Sequence, residues 1–216
     1  LNLIMENRMR KIIGVCGLIG SGKGTVADML VAEHGFQKIS FADMLKDGVS
    51  TMFGWDRAML EGDTKESRAF REVPDEFWSN ETGKEITPRL VLQLFGTECM
   101  RTGFYDGFWV SIVKKTILDN PNTNFVIPDT RFLNEMKMIR EIGGEIWTVQ
   151  RGESPPWWTA AMTANQTGYP TDMNKYFPEV HASEYSWAMP AKYFNRSIRN
   201  DGTLEELHAA VMTGIV

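Results

Sequence analysis

The chain has 216 residues, with 23 Lys and Arg against 28 Asp and Glu for a formal net charge of -5. That length suits one domain with a sizeable core, and 43% hydrophobic with 24% charged residues excludes a disordered chain. Two Cys and three His are too few for a disulfide scaffold or a separate zinc module, and the acidic balance argues against gripping a nucleic-acid backbone by bulk electrostatics.

In chain order, Leu1-Asn2-Leu3-Ile4 precedes the candidate starts Met5 and Met9, and residues 1–8 read as an extension outside a single domain over 9–216. Lys11 to Cys16 is a β-rich run that ends in a glycine cluster, and Val26 to Glu33 then carries helical apolar spacing. A second strand is predicted at Gln37–Phe41 and a helix at Asp43–Phe53. Between Gly54 and Pro88 the chain is charge-rich and irregular, with room for brief helices. Thr87-Pro88 has the form of an N-cap followed by proline in the first turn, so a helix is expected from Pro88 to about Met100. Together these make 42–118 a helical, substrate-side region.

A helix at Phe108–Leu118, a strand at Phe125–Ile127, a helix at Asn134–Ile142 and a strand at Glu145–Gln150 continue the βα alternation. The Pro- and Trp-rich stretch 151–190 cannot be one long helix and is expected to be a loop or partly helical lid. A last strand at Lys192–Ile198 leads to a helix at Leu204–Met212, with Thr203 and Glu206 spaced as a capping box. The apolar runs are short and no secretory pattern opens the chain, which predicts a cytoplasmic protein without a membrane partner.

The sharpest signal is Gly17-Leu18-Ile19-Gly20-Ser21-Gly22-Lys23-Gly24-Thr25. Gly17, Gly20 and Gly22 permit a tight path on which peptide N–H groups face phosphate oxygens, and the helix that follows adds its positive end. Ile19, Ser21 and Gly24 complete that loop. Lys23 can reach the β- and γ-phosphates and follow charge onto the transferring group. The Thr25 hydroxyl, one place beyond the common pattern, is a candidate ligand of Mg2+ or phosphate. The loop resembles the variant phosphate loop of nucleoside-monophosphate kinases, in which Gly-Lys-Gly is followed by Thr.

Asp129 follows the Phe125–Ile127 run at the edge where open α/β sheets hold ligands, and is either a metal or acceptor-orienting carboxylate or a local cap. Arg131 can make a paired contact to phosphate in the same pocket. Asp43 and Lys46 read as a sugar contact and a phosphate counter-charge, or as a helix cap and a solvated lysine. Arg89, Gln93 and Thr97 recur every four residues, so a helix aligns them as one stripe that Arg101 extends by a turn, suited to the phosphate and base edge of a small nucleotide. Trp109 is either an aromatic wall against a base or core. Arg151 opens the 151–190 stretch and can close onto phosphate as water leaves. His181, Ser183 and Glu184 favour lid hydrogen bonding over covalent catalysis, and the Asn200-Asp201-Gly202 turn can meet an adenine through its backbone.

Several separated segments resemble phage deoxynucleoside-monophosphate kinases of the P-loop family: Gly17 to Thr25, Arg89-xxx-Gln93-xx-Gly96-Thr97, Val126-Ile127-Pro128-Asp129-Thr130-Arg131, His181-Ala182-Ser183-Glu184, and Asn200 to Leu207. The resemblance implies an α/β, three-layer P-loop NTPase fold with a mostly parallel sheet, a helical substrate-binding excursion and a lid. It also implies Mg2+-assisted transfer of the ATP γ-phosphate to a deoxynucleoside monophosphate in the host-cell cytoplasm. By matching segments, it places Arg89, Gln93, Asp129 and Arg131 at the acceptor and Arg151 in the lid. The chain departs from the best-known pattern in Gly24 after Lys23 and in the stretch from Ser154 to Pro178. Two other readings stay open: a P-loop kinase acting on a modified base or nucleotide in phage DNA, and a nucleotide-binding regulator without transfer. The acidic charge disfavours a stable nucleic-acid partner, and a homodimer is left open.

Overall fold

A computed structural model describes residues 10–215, so the expected extension over 1–8 lies outside the described residues. These divide into two compact units, 10–40 with 113–215 and Phe41–Ile112. The first begins with β1 (Ile12–Cys16), α1 (Lys23–His34) and β2 (Gln37–Lys38). The second holds α2 (Asp43–Phe53), a 3-10 turn at Ala58–Leu60, α3 (Lys65–Glu72), α4 (Glu76–Thr82), α5 (Pro88–Gln93) and a π-helical segment at Leu94–Thr102. The chain returns to the first unit along α6 (Phe108–Asp119) and continues through β3 (Phe125–Ile127), α7 (Leu133–Glu141) and β4 (Glu145–Gln150). Three short helices follow, α8 (Trp158–Thr167), α9 (Thr171–Tyr176) and α10 (Ala182–Tyr185), then β5 (Arg196–Arg199) and α11 (Leu204–Met212).

In the first unit the strands run in the order β2-β3-β1-β4-β5 and every pairing is parallel. The central strand β1 is buried along its whole length, as expected of a parallel strand covered on both faces. Alternation splits its residues between two layers. Ile13 and Val15 join Val126, Trp147, Val149 and Ile198 against Val26, Ala27 and Leu30 of α1 and Leu207 and Val211 of α11. On the other face, a Cβ at Gly14 would lie 2.5 Å from Ile139 Cδ1, so only glycine lets α7 pack this close to the strand. Helix, sheet and helix form the three layers expected from the sequence. The chain leaves β1 and β4 in opposite directions across the sheet, and open parallel sheets form their ligand crevice at the carboxyl ends of such strands.

Two strand boundaries differ from the sequence reading. β2 stops at Lys38 rather than Phe41, pairing only with β3 through Gln37 and Lys38. The final strand starts at Arg196 rather than Lys192, because Pro190 O accepts from Tyr193 N at 2.9 Å and tightens Ala191–Tyr193 into a 3-10 turn. The helices of the 151–190 stretch pack on one another through buried Ala161, Ala164, Met173, Tyr185 and Ala188. Asn165 Nδ2 donates to Tyr185 O at 2.7 Å and Ala188 O at 2.8 Å, tying the end of that stretch to α8.

The second unit has no strand among its described residues. Val49, Trp55, Leu60, Val91 and Leu92 form its core, with Phe53, Phe70, Trp78 and Phe95 packed around them. Thr87 Oγ1 accepts from Leu90 N at 3.1 Å and Pro88 sits in the first turn, so α5 starts where the sequence places it. It does not continue as one α-helix to Met100. From Leu94 the winding is π, with Gly103 N donating to Glu98 O at 2.9 Å and Tyr105 N to Met100 O at 2.8 Å, each five residues back. Among the described residues no helix is long and apolar enough to cross a membrane.

Candidate functional site

The turn from β1 into α1 is built from glycine. Gly20 and Gly22 have φ of 76° and 105°, values that other residues adopt only under strain. A Cβ at Gly17 would stand 2.4 Å from Val149 O, and one at Gly22 2.4 Å from Asn200 Nδ2. The Asn200 side chain donates to Ser21 O at 2.8 Å, so the end of β5 holds the loop's path. Ser21 Oγ is buried without a hydrogen-bond partner among the described residues, while Ile19 at the crest is 76% exposed. A Cβ at Gly20 or Gly24 would meet nothing within 4 Å, so the outer side of the loop is open. Open space, an orphaned hydroxyl and the free N–H groups of the first turn of α1 fit a polyphosphate.

Lys23 opens α1 and folds over this loop, its Nζ donating to Gly17 O and Leu18 O, both at 2.7 Å. Burial lowers its pKa to about 8; the Arg131 guanidinium lowers it too, and Cys16, Glu184 and Asp129 partly oppose the shift. A desolvated lysine beside a second cation lacks negative charge, which a phosphate supplies. Cys16 behaves oppositely as a thiol: burial, then Glu135, drives its pKa far up, so it stays a protonated core residue.

The turn after β3 is held from three sides. Ser40 Oγ donates to Asp129 Oδ2. The buried Thr130 hydroxyl donates to Ile127 O at 3.1 Å. Glu135 is 2% exposed, and its Oε2 accepts from Arg131 N at 2.7 Å and Phe132 N at 3.0 Å. Ser40 and Glu135 escape the sequence reading. Ser40 is 89 positions from its partner and gives no local signal, whereas an acid in the third position of α7 is a recognisable capping feature. Among the described residues no three His, Cys, Asp or Glu gather as a metal cage. Half-buried Asp129 and exposed Thr25 offer hard oxygens, the donor type of an Mg2+ that keeps most of its water and phosphate ligands.

Arg151 follows β4 and is exposed, close enough to Asp201 to help lower that carboxyl's pKa, after the Gly152 N–H and Arg199. Asp201 Oδ1 accepts from Gly152 N at 2.6 Å, bracing the Asn200–Gly202 turn against the start of the 151–190 stretch. His181 is a helix cap: its Nδ1 accepts from Ser183 N at 3.2 Å and lies 2.8 Å from Ser183 Oγ. Glu184, in the turn that His181 caps, contributes to the field at Lys23.

In the second unit, Lys46 is already matched, its Nζ 2.6 Å from Glu61 Oε2. Arg57 ties Asp43, Asp47 and Glu61 into the same cluster, so Asp43 and Lys46 belong to an internal charge network. Arg89, Gln93 and Thr97 are exposed and Arg101 is half-buried; Arg89 pairs with Glu72. The four-residue stripe holds from Arg89 to Gln93, but the π winding that starts at Leu94 rotates Thr97 and Arg101 away from that line. Trp109 offers no open face: it is 7% exposed and its Nε1 donates to Gly96 O at 2.9 Å, so the aromatic-wall reading gives way to a core position.

A family model described as deoxynucleotide monophosphate kinase matches residues 57–159. A protein of Acanthamoeba polyphaga mimivirus named "Putative deoxynucleotide monophosphate kinase" is 33% identical over 152 residues, covering 65% of this chain and 74% of that protein. The deoxynucleoside-5'-monophosphate kinase of Escherichia phage T5 is 39% identical over 56 residues, 26% of this chain and 22% of the phage protein. Among solved structures, TT1252 from Thermus thermophilus aligns over 96% of this chain and 97% of that one, with 17% identity and a TM-score of 0.48.

Proposed function

This chain belongs to the deoxynucleotide monophosphate kinase family, and from that premise we propose that it transfers the γ-phosphate of ATP to a deoxynucleoside monophosphate, giving ADP and a deoxynucleoside diphosphate. The observation that carries the donor side is the buried, pKa-lowered Lys23 laid over a glycine loop at the start of α1, with Arg131 in the same field.

The donor phosphates lie along the Gly17–Thr25 loop, where backbone N–H groups and the N-terminus of α1 face them. Lys23 exchanges the carbonyls of Gly17 and Leu18 for β- and γ-phosphate oxygens and follows the charge into the transition state. Arg131 shares that charge, held in place by Glu135 through the backbone. Asn200 supports the loop, and the Asn200–Gly202 turn lies on the adenine side. Thr25 and Asp129 would hold a Mg2+, directly or through water, and the ion would supply neutralisation of charge on the donor oxygens. The acceptor's phosphate is met by Arg89 and Gln93, and Thr97 and Arg101 contribute to its surroundings. In-line attack by a phosphate oxygen needs no protein nucleophile, so positioning and water exclusion carry the rate. Arg151 contributes to the latter from the 151–190 stretch.

The test is a Mg-ATP assay against each common deoxynucleoside monophosphate, with ribonucleotides and oligonucleotides in parallel. Formation of the diphosphate supports the reading; phosphorylation of DNA alone overturns it.

A further inference from the structure

The π winding of Leu94–Thr102 leaves one buried polar contact that the function above does not use. Trp109 Nε1 donates to the carbonyl of Gly96, a buried hydrogen bond of 2.9 Å between residues 13 apart. The indole is 7% exposed and packs edge-to-face on Phe108, with centroids 4.9 Å apart. Gly96 is buried, and a Cβ there would stand 2.9 Å from Leu45 Cδ2, so its backbone is fixed on one side by α2 and on the other by Trp109. Gly96 immediately precedes Thr97, and its carbonyl lies inside the segment whose turns close five residues back rather than four. π segments are intrinsically poor helices and persist where an outside partner fixes them, often beside a functional site.

We infer that Trp109 is a positioning residue for the acceptor. Its indole N–H pins the Gly96 carbonyl, holds Leu94–Thr102 in the π winding, and so sets where Thr97 and Arg101 stand relative to Arg89 and Gln93. The inference rests on the proposed reading of this helix as the acceptor side. Trp109 itself touches no substrate; it acts through the backbone of the segment that does. Relaxation of the segment to α winding would swing Thr97 and Arg101 back onto the Arg89–Gln93 line and change the acceptor's contacts while leaving the phosphate loop untouched.

Trp109→Phe keeps an aromatic ring in the core and removes the N–H. The expected result is a rise of about tenfold in KM for the preferred deoxynucleoside monophosphate with KM for ATP unchanged, together with faster amide hydrogen exchange confined to residues 94–102. A merely structural role would raise both KM values together or lower only the amount of folded enzyme. If the Phe variant does not fold, benzothienylalanine at position 109, which replaces the N–H by sulfur in an indole-shaped ring, makes the same test and the same split is expected. An unchanged acceptor KM, or equal changes for acceptor and ATP, overturns the inference. An Arg89→Ala variant, with Trp109 intact, whose acceptor KM equals that of wild type would instead overturn the assignment of this helix to the acceptor, so the two failures are told apart.

Discussion

The Gly17–Thr25 loop and the Pro88–Thr102 helix present positive charge in opposite ways. In the loop the cation is partly buried, bonded to two backbone carbonyls and held at a pKa of about 8. On the helix Arg89 is half in solvent and paired with Glu72, and Gln93 and Thr97 are exposed. Desolvated charge interacts strongly and resists screening, while exposed charge is worth little per contact. The proposed function divides along the same line: the loop stabilises charge during transfer, and the helix holds and selects a substrate by several weak contacts.

This contrast ranks the substitutions. Lys23→Ala is expected to lower kcat by about a thousandfold, the scale of losing one preorganised donor in a dry site; steady-state kinetics on folded variant showing kcat within tenfold of wild type would break the contrast at its strong end. Gly22→Ala places a Cβ at φ 105° and 2.4 Å from Asn200 Nδ2, and about 2 kcal/mol of local strain predicts a KM for ATP raised about thirtyfold with little change for the acceptor. Binding isotherms for ATP would read this directly. Arg89→Ala should raise the acceptor KM only about fivefold, as suits an exposed charge, and that effect should shrink further in added salt.

The smallest effect is in pH. Lys23 in the free enzyme loses its proton as pH rises through about 8, so kcat/KM for ATP is flat below that value and falls above it. The bound phosphates raise the lysine's pKa, so kcat holds to higher pH. At pH 8.5 ATP binding should therefore take up protons, visible as a dependence of the calorimetric enthalpy on the buffer. Binding without proton uptake would mean that Lys23 is not the group meeting the phosphates.

The two regions also differ in how far their residues announce them. The loop is legible because three glycines and a lysine between a buried strand and a helix mark a tight turn whose left-handed conformations glycine adopts without strain, and the bounds of β4 and α11 follow from the apolar run after Gly143-Gly144 and from the Thr203–Glu206 capping box in the same local way. The stripe on the helix rests on a 3.6-residue repeat, and the repeat changes at Leu94, in a segment whose Gly96 meets Trp109 and Leu45 from outside any window of the helix. Ser40 at Asp129 was hidden likewise by 89 positions of intervening chain. The Lys46–Glu61 and Arg57 cluster shows the same limit, since an exposed-looking lysine in the sequence finds its acid 15 residues away.

The most direct test of the account is product analysis after incubating the enzyme with Mg-ATP and each deoxynucleoside monophosphate in turn. ADP and one deoxynucleoside diphosphate should form in equal amounts, and both should be lost in Lys23→Ala. ATP consumed without any diphosphate, or product formation unchanged in the lysine variant, would contradict it.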